Sequence, residues 1–414
     1  MANGKLLKEY LVDENNGYLL DSNNNGKVIM LSGKWGSGKT HFWKNDIATV
    51  EFKQKLTLKK SAYSYVSLYG KSSIEEIENN ILAQIYFNAI GGDNLITKTF
   101  STFTKYSKRY GNLFSSFDFS KLAEGLEDEQ KDNKERVALE RLKNGAIICF
   151  DDFERKSKDI DLNDLFGFIT NLTIEFKCKV VIILNDDVFE GEEKKIFSNV
   201  KEKSVSKFLK YEPSIRYLFN LIFYERREDN KKKFKYLKLR KYKQIILKTI
   251  EETQELNARI YIQVLDNLVE WIKNKDKSDD VLRCLILVNI NFILYHMIFS
   301  TRQEYVTTEN YQGINGIGET NILQSYKYQI DGFLSRGHKF EYFGHIPELD
   351  TFEKYLVKLE KNTTSDIEIN FIQNNLRLFK SAYFANKLDI SKNVDNKNFN
   401  KINNFIETGI LINE

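Results

Sequence analysis

Gly33-Lys34-Trp35-Gly36-Ser37-Gly38-Lys39-Thr40 fills every fixed position of the pattern G-x-x-x-x-G-K-[ST] in this 414-residue chain. The pattern is a phosphate-binding loop when a strand precedes it and a helix follows. Both neighbours are present: Lys27-Val28-Ile29-Met30-Leu31 is a short apolar run that reads as a buried strand, and a helix-compatible segment follows Thr40. Glycines let backbone N–H groups turn inward without a Cβ clash, and the start of a helix adds its partial positive charge. All eight residues, Gly33, Lys34, Trp35, Gly36, Ser37, Gly38, Lys39 and Thr40, are therefore candidate nucleotide contacts, with Lys39 directed to the β- and γ-phosphates and Thr40 to Mg²⁺.

Further strands follow outward from the loop. Tyr63-Ser64-Tyr65-Val66-Ser67-Leu68 has the aromatic and branched content of a strand, and Ser73 with Glu76 forms a capping box for a helix through Ile81, Leu82, Ile85 and Tyr86. Residues from about 91 to 144 differ in composition and read as an insertion, whose charge-dense part, Glu124 to Arg141, suits a solvated helix. Ala146-Ile147-Ile148-Cys149-Phe150 is a second apolar strand and ends in Asp151-Asp152, a Walker B pattern. Acids belong at that end because the carboxyl edge of a parallel sheet faces the phosphate loop. After a helix over Leu162 to Phe176, a third apolar run, Val180-Val181-Ile182-Ile183-Leu184, ends at Asn185. Continuous apolar strands alternating with helices predict an α/β fold, a parallel sheet covered on both faces. From Ser214 the periodicity is helical. The expected division is a core over 1–213, a helical lid over 214–275 and a mainly helical C-terminal domain over 276–414.

Composition narrows the setting. Lys and Arg total 62 against 58 acids, and a net charge of +4 argues neither for nor against nucleic acid. Cys149, Cys178 and Cys284 have no C-x-x-C or metal-ligand spacing, which suits a reducing cytoplasm. No signal-peptide pattern opens the chain. The longest apolar stretch, Cys284 to Phe299, is interrupted by Asn289, Asn291 and His296 and reads as a buried helix rather than a membrane span.

The chemistry of phosphoryl transfer then assigns candidate roles. Asp151 suits the Mg²⁺ hydration shell. Asp152 suits the carboxylate that orients or deprotonates the attacking water, with Glu154 as the second candidate and Asn185 polarising the same water from the third strand. Arg155 either pairs with these local acids or serves a neighbouring subunit. A GTP-specific site needs N-K-x-D, and the nearest match, Asn274-Lys275-Asp276-Lys277, lacks the final Asp; ATP is the expected nucleotide.

Two stretches, the loop with Trp35 before its second glycine and Phe150-Asp151-Asp152-Phe153-Glu154-Arg155, resemble the KAP family of P-loop ATPases, relatives of the STAND and AAA-like groups. The segment from Glu202 to Pro213 is similar to that family's last core strand, and Asn257-Ala258-Arg259-Ile260-Tyr261-Ile262 to its N-x-R segment. The likeness covers about residues 20 to 270, with two departures: Glu154 stands where the family has Asp, and Ala258 where it has Pro. It implies a sensor role for Arg259, a molecular switch or motor driven by ATP, a protein partner or effector (a homo-oligomer being one form), and a setting in bacterial conflict or antiphage systems.

Between Arg226 and Lys243 lies a basic cluster with interleaved aromatics. It reads as a nucleic-acid contact, or as an amphipathic helix with Phe234, Leu237, Ile245 and Ile246 on one apolar face. Rival functions are therefore a DNA-dependent ATPase and a nucleotide-stabilised scaffold. His338 and His345 near Glu341 and Glu348 match no nuclease or zinc-protease spacing, and Gly313, Gly316 and Gly318 read as loop residues.

Overall fold

Five strands form one all-parallel sheet in the order β2-β3-β4-β1-β5: β1 is Val28–Ser32, β2 Tyr63–Ser67, β3 Ile147–Asp151, β4 Lys179–Leu184 and β5 Val205–Lys210. The computed structural model describes residues 3–13, 17–90, 137–189, 191–225, 233–273, 276–299 and 394–412. The three central strands β1, β3 and β4 are buried along their whole length, which is why they read as unbroken apolar runs. Their side chains alternate between the two faces. Met30, Ile148, Phe150, Val180 and Ile182 enter one core, and Ile29, Leu31, Ile147, Cys149, Val181 and Ile183 enter the other.

Helices cover both faces. On one side lie Leu7 and Leu11 of α1 (Gly4–Val12), Phe42 of α2 (Lys39–Phe42), and Phe52 and Leu56 of α3 (Val50–Leu58). The other side carries Ile77, Ile81 and Ile85 of α4 (Ile74–Ile90), Leu165, Phe168 and Leu172 of α5 (Leu162–Ile174), and Phe197 of α6 (Gly191–Ser204). Local chemistry sets their starts. Thr49 accepts from the N–H of Phe52 and Asp161 from those of Asn163 and Asp164. Ser73 Oγ accepts from Glu76 N at 3.2 Å, while the Glu76 carboxylate takes the N–H of Ser72 and Lys71 Nζ instead of closing the box on Ser73. Helix α1 has no counterpart among the elements expected from the sequence.

The chain divides into two compact units, Met1–Pro213 and Ser214–Glu414. In the second unit α7 (Ile215–Phe223), α8 (Lys243–Thr253), α9 (Ala258–Trp271), α10 (Asp279–Phe299) and α11 (Asn396–Thr408) share one hydrophobic core built around residues such as Phe219, Ile250, Tyr261, Leu265, Ile286 and Phe405. Helices from either side of residue 275 contribute to it, so among the described residues the packing draws no boundary there. The stretch expected as a buried helix lies in α10, with Cys284 to Val288 and Ile290 buried. No helix among the described residues is long and apolar enough to cross a membrane. All three thiols are free and buried.

The basic cluster differs from its expected helix. Its described part runs as a 3₁₀ helix over Leu237–Tyr242 before α8 begins. Leu239 within it and Tyr236 just before it are buried, while Leu237 is 50% exposed and Phe234, ahead of the helix, 38%. Residues 226–232, most of the insertion, and the sites around Gly313–Gly318 and His338–Glu348 lie outside the described residues.

Candidate nucleotide site

The loop after β1 has the backbone that its glycines permit. Gly36 and Gly38 are left-handed, with φ of 76° and 89°. A Cβ on Gly33 would lie 2.7 Å from the carbonyl oxygen of Tyr211, so only glycine allows this approach. Helix α2 starts at Lys39 and continues through a π turn over Trp43–Ile47. Two contacts anchor it: Phe42 stacks on Tyr211 at 4.6 Å, and the Trp43 indole donates to Tyr63 Oη at 2.7 Å. The Lys39 ammonium folds back onto the carbonyls of Gly33 and, at 3.1 Å, Lys34. Burial lowers its pKa, and the charges of Glu154, Asp151, Asp152 and Asp186 oppose that shift. Ser37 Oγ is buried with no hydrogen-bond partner among the described residues.

Asp151 is the last residue of β3 and 2% exposed. Its Oδ2 accepts from Thr40 Oγ1 at 2.7 Å and from the Tyr65 hydroxyl, and its Oδ1 accepts from the N–H of Asp152 at 2.8 Å. Burial, then the Asp151 charge, raises the Tyr65 pKa and keeps the phenol a donor. Parallel pairing of β2 and β3 sets this up, with Tyr65 opposite Cys149 and Ser67 opposite Asp151. Asp152 follows in the left-handed region, φ 53°, which a short polar residue tolerates better than most. Its Oδ2 accepts from Ser67 Oγ at 2.8 Å and its Oδ1 lies 3.6 Å from Arg155. Phe153 is buried, and Glu154 turns towards the loop, where its Oε1 accepts from the Trp35 indole N–H at 2.8 Å. The buried Glu154 Oε2 has no partner among the described residues.

Asn185 is buried immediately after β4. Leu184 pairs with Ser32, and the N–H of Gly33 donates to Leu184 O at 3.3 Å, so Asn185 adjoins the start of the loop. Lys39, Thr40, Asp151, Asp152 and Glu154 are thus linked by direct bonds or mutual charge, and Arg155 is held locally by Asp152 and by the Tyr69 ring, 3.9 Å away. Arg259 belongs to the other unit. It stands in the first turn of α9 with an exposed side chain, and Asn257 of the same segment caps that helix, accepting from Arg259 N at 3.0 Å. Tyr65, Ser67, Ser32 and Asp186 were missed by sequence reasoning. Ser32 Oγ donates to Asp186, which also pairs with Lys201 at 3.6 Å. A polar residue at every second position of β2 was the available signal for Tyr65 and Ser67.

The residues present fit a phosphate chain and a hard cation. Left-handed glycines open the loop, a buried hydroxyl awaits a partner, and a hydroxyl and a carboxylate meet at one point, oxygen donors of the kind Mg²⁺ takes.

A β1 strand feeding a glycine loop and helix, in an all-parallel sheet of order 2-3-4-1-5, defines a P-loop nucleoside-triphosphatase core. The model of the KAP family P-loop domain matches residues 11–394, and the chain belongs to that family. Comparison with curated protein sequences gave no match. Among solved structures the chain is similar to a DNA replication initiation factor, with 12% identity, 90% of this chain and 92% of the other covered, and a TM-score of 0.34. It is also similar to PCH-2 of C. elegans, with 13% identity, 67% and 61% covered, and a TM-score of 0.27. At these scores neither likeness carries a function over.

Proposed function

We propose that the protein binds ATP with Mg²⁺ and hydrolyses it, and that turnover drives a conformational switch read by a protein partner. The observation that carries this reading is the meeting of Thr40 Oγ1 and Asp151 Oδ2 at 2.7 Å beside a buried lysine. Thr40 and Asp151 are the residues that would hold Mg²⁺, which neutralises phosphate charge when bound. The loop N–H groups bind phosphate oxygens, and Lys39 exchanges the carbonyls of Gly33 and Lys34 for the β- and γ-phosphates. Asp152 and Glu154 are the two carboxylates available to the attacking water, with Asn185 as a polar neighbour. The absence of a complete N-K-x-D motif supports ATP over GTP.

Isothermal titration with ATP and Mg²⁺, paired with phosphate release, tests the reading. Binding with turnover is expected; binding without turnover favours the scaffold alternative, and no binding removes the proposal. The family resemblance supports a bacterial conflict setting with a partner effector, which pull-down from the native host tests.

One observation favours a second reading. Phe234 and Leu237 are exposed beside Lys233, Lys238 and Lys241, an aromatic and basic surface of the kind that contacts single strands. Stimulation of ATP hydrolysis by DNA, lost when those three lysines become Glu, would promote a DNA-dependent ATPase; unchanged rates are expected under the switch reading.

A further inference from the structure

We propose that Trp35 is a positioning residue that holds Glu154, rather than Asp152, as the carboxylate that activates the attacking water; the proposal rests on the ATPase reading above. Trp35 is carried by the phosphate loop itself, between Lys34 and the left-handed Gly36, and the residue is 48% exposed. Exposure leaves little burial to account for so large a side chain at this point. Its indole N–H instead reaches 119 positions along the chain to Glu154 Oε1, at 2.8 Å. A hydrogen bond to a charged acceptor fixes direction as well as distance, so one Glu154 oxygen is held by the loop. The other, Oε2, has no partner among the described residues.

Asp152 is arranged differently. Ser67 holds its Oδ2 at 2.8 Å and Arg155 faces its Oδ1 at 3.6 Å. Both oxygens are engaged by residues of β2 and of the turn after β3, none of them on the loop. Glu154 is also first among the four acids whose charges act on Lys39, so its carboxylate is within electrostatic reach of the phosphate-binding lysine. In the step that follows, a water oxygen forms a bond to the γ-phosphorus, the bond from that phosphorus to the β,γ-bridging oxygen breaks with its electron pair leaving on ADP, and the water proton passes to Glu154 Oε2. Because Trp35 moves with the loop, the base is set relative to the same backbone that grips the phosphates.

Two arms test this. The chain has three tryptophans, and Trp43 and Trp271 are 0% and 1% exposed, so acrylamide quenching reports on Trp35. Measured without nucleotide, Glu154→Ala is expected to raise that quenching and shift the emission, and Asp152→Ala to leave both unchanged. The reverse pattern would overturn the contact whether or not the protein hydrolyses ATP. In steady-state kinetics Trp35→Phe keeps a ring and removes the N–H, and is expected to lower kcat by about tenfold or more while ATP KM changes by less than about threefold. Glu154→Gln should lower kcat further, and the double variant should match Glu154→Gln within about twofold, since residues acting as a unit are not additive. Independent, multiplying losses, or a Trp35→Phe effect confined to KM, would overturn the proposal. A parent protein that binds ATP without hydrolysing it would remove the ATPase reading and this role together, while the quenching arm would still decide the Trp35–Glu154 contact.

Discussion

The two ends of the sheet both bury a lysine and surround it in opposite ways. At the carboxyl end Lys39 lies among Glu154, Asp151, Asp152 and Asp186, whose charges oppose the lowering of its pKa by burial. At the amino end Lys179 opens β4 and donates to the neutral amide oxygen of Asn25 at 2.6 Å; its neighbours Lys27 and Lys59 likewise donate to Asn24 Oδ1 and to the carbonyl of Leu20. Burial, with Lys59 nearby, pushes the Lys179 pKa down to about 8. The charges of four acids act on the lysine of the loop. The hydrogen bond of the other goes to a neutral oxygen, and the one acid whose charge acts on it is Asp21.

Substitution should hurt unequally at the two ends. The largest effect is expected from Asp151→Asn, which removes the charge at which Thr40 and Tyr65 converge; Mg²⁺-dependent ATP affinity should fall on the order of a hundredfold, ~2.7 kcal/mol. Titration in Mg²⁺ and in EDTA checks this, because the variant and parent should differ little in EDTA. Gly33→Ala places a methyl group 2.7 Å from the Tyr211 carbonyl. Backbone must shift to admit it, so unfolding in urea should show a loss of about 1–3 kcal/mol.

Tyr65→Phe comes next. It removes a donor to Asp151 that β2 supplies, and phosphate release should slow by roughly tenfold, since hydrogen bonds to charged groups contribute about 1.5–3 kcal/mol. At the other end Lys179→Met should change stability at pH 7 by no more than about 1 kcal/mol, because losing the bond to Asn25 is offset by no longer burying a charge. The pH dependence carries the sign. With a folded pKa of about 8 and an ordinary value of 10.5, the unfolded chain holds a proton between those values that the folded chain lacks. Parent stability therefore rises relative to the variant as pH climbs through that window and is flat below it. Urea unfolding at pH 7 and pH 9.5 measures the difference.

What could be read from the sequence follows the same division between local and distant pairing. The phosphate loop and Asp151-Asp152 are contiguous strings whose chemistry is local, and β1, β3 and β4 are apolar except at one terminal residue each because both their faces are covered, so the sheet and its acids were legible. Tyr65 and Ser67 were not, because only the register that sets β2 beside β3 aims them at Asp151 and Asp152. The Trp35–Glu154 bond joins two motifs that were each visible, yet nothing in either spelling says that they touch. Around Leu237 the misreading was one of period. Six residues are too few to separate three per turn from 3.6, and the 3₁₀ turn leaves Leu237 exposed while it buries Leu239.

Phosphate release from ATP in the presence of Mg²⁺, compared between the parent and Lys39→Ala, tests the central claim most directly. Lys39 is the cation at the carboxyl end that can leave the loop carbonyls for a phosphate, and its removal leaves the sheet's core and the amino-end lysines untouched. The account expects steady release from the parent, background release from the variant, and an ATP-induced rise in melting temperature in the parent alone. Release by Lys39→Ala at the parental rate, or an equal thermal shift in both proteins, would contradict it.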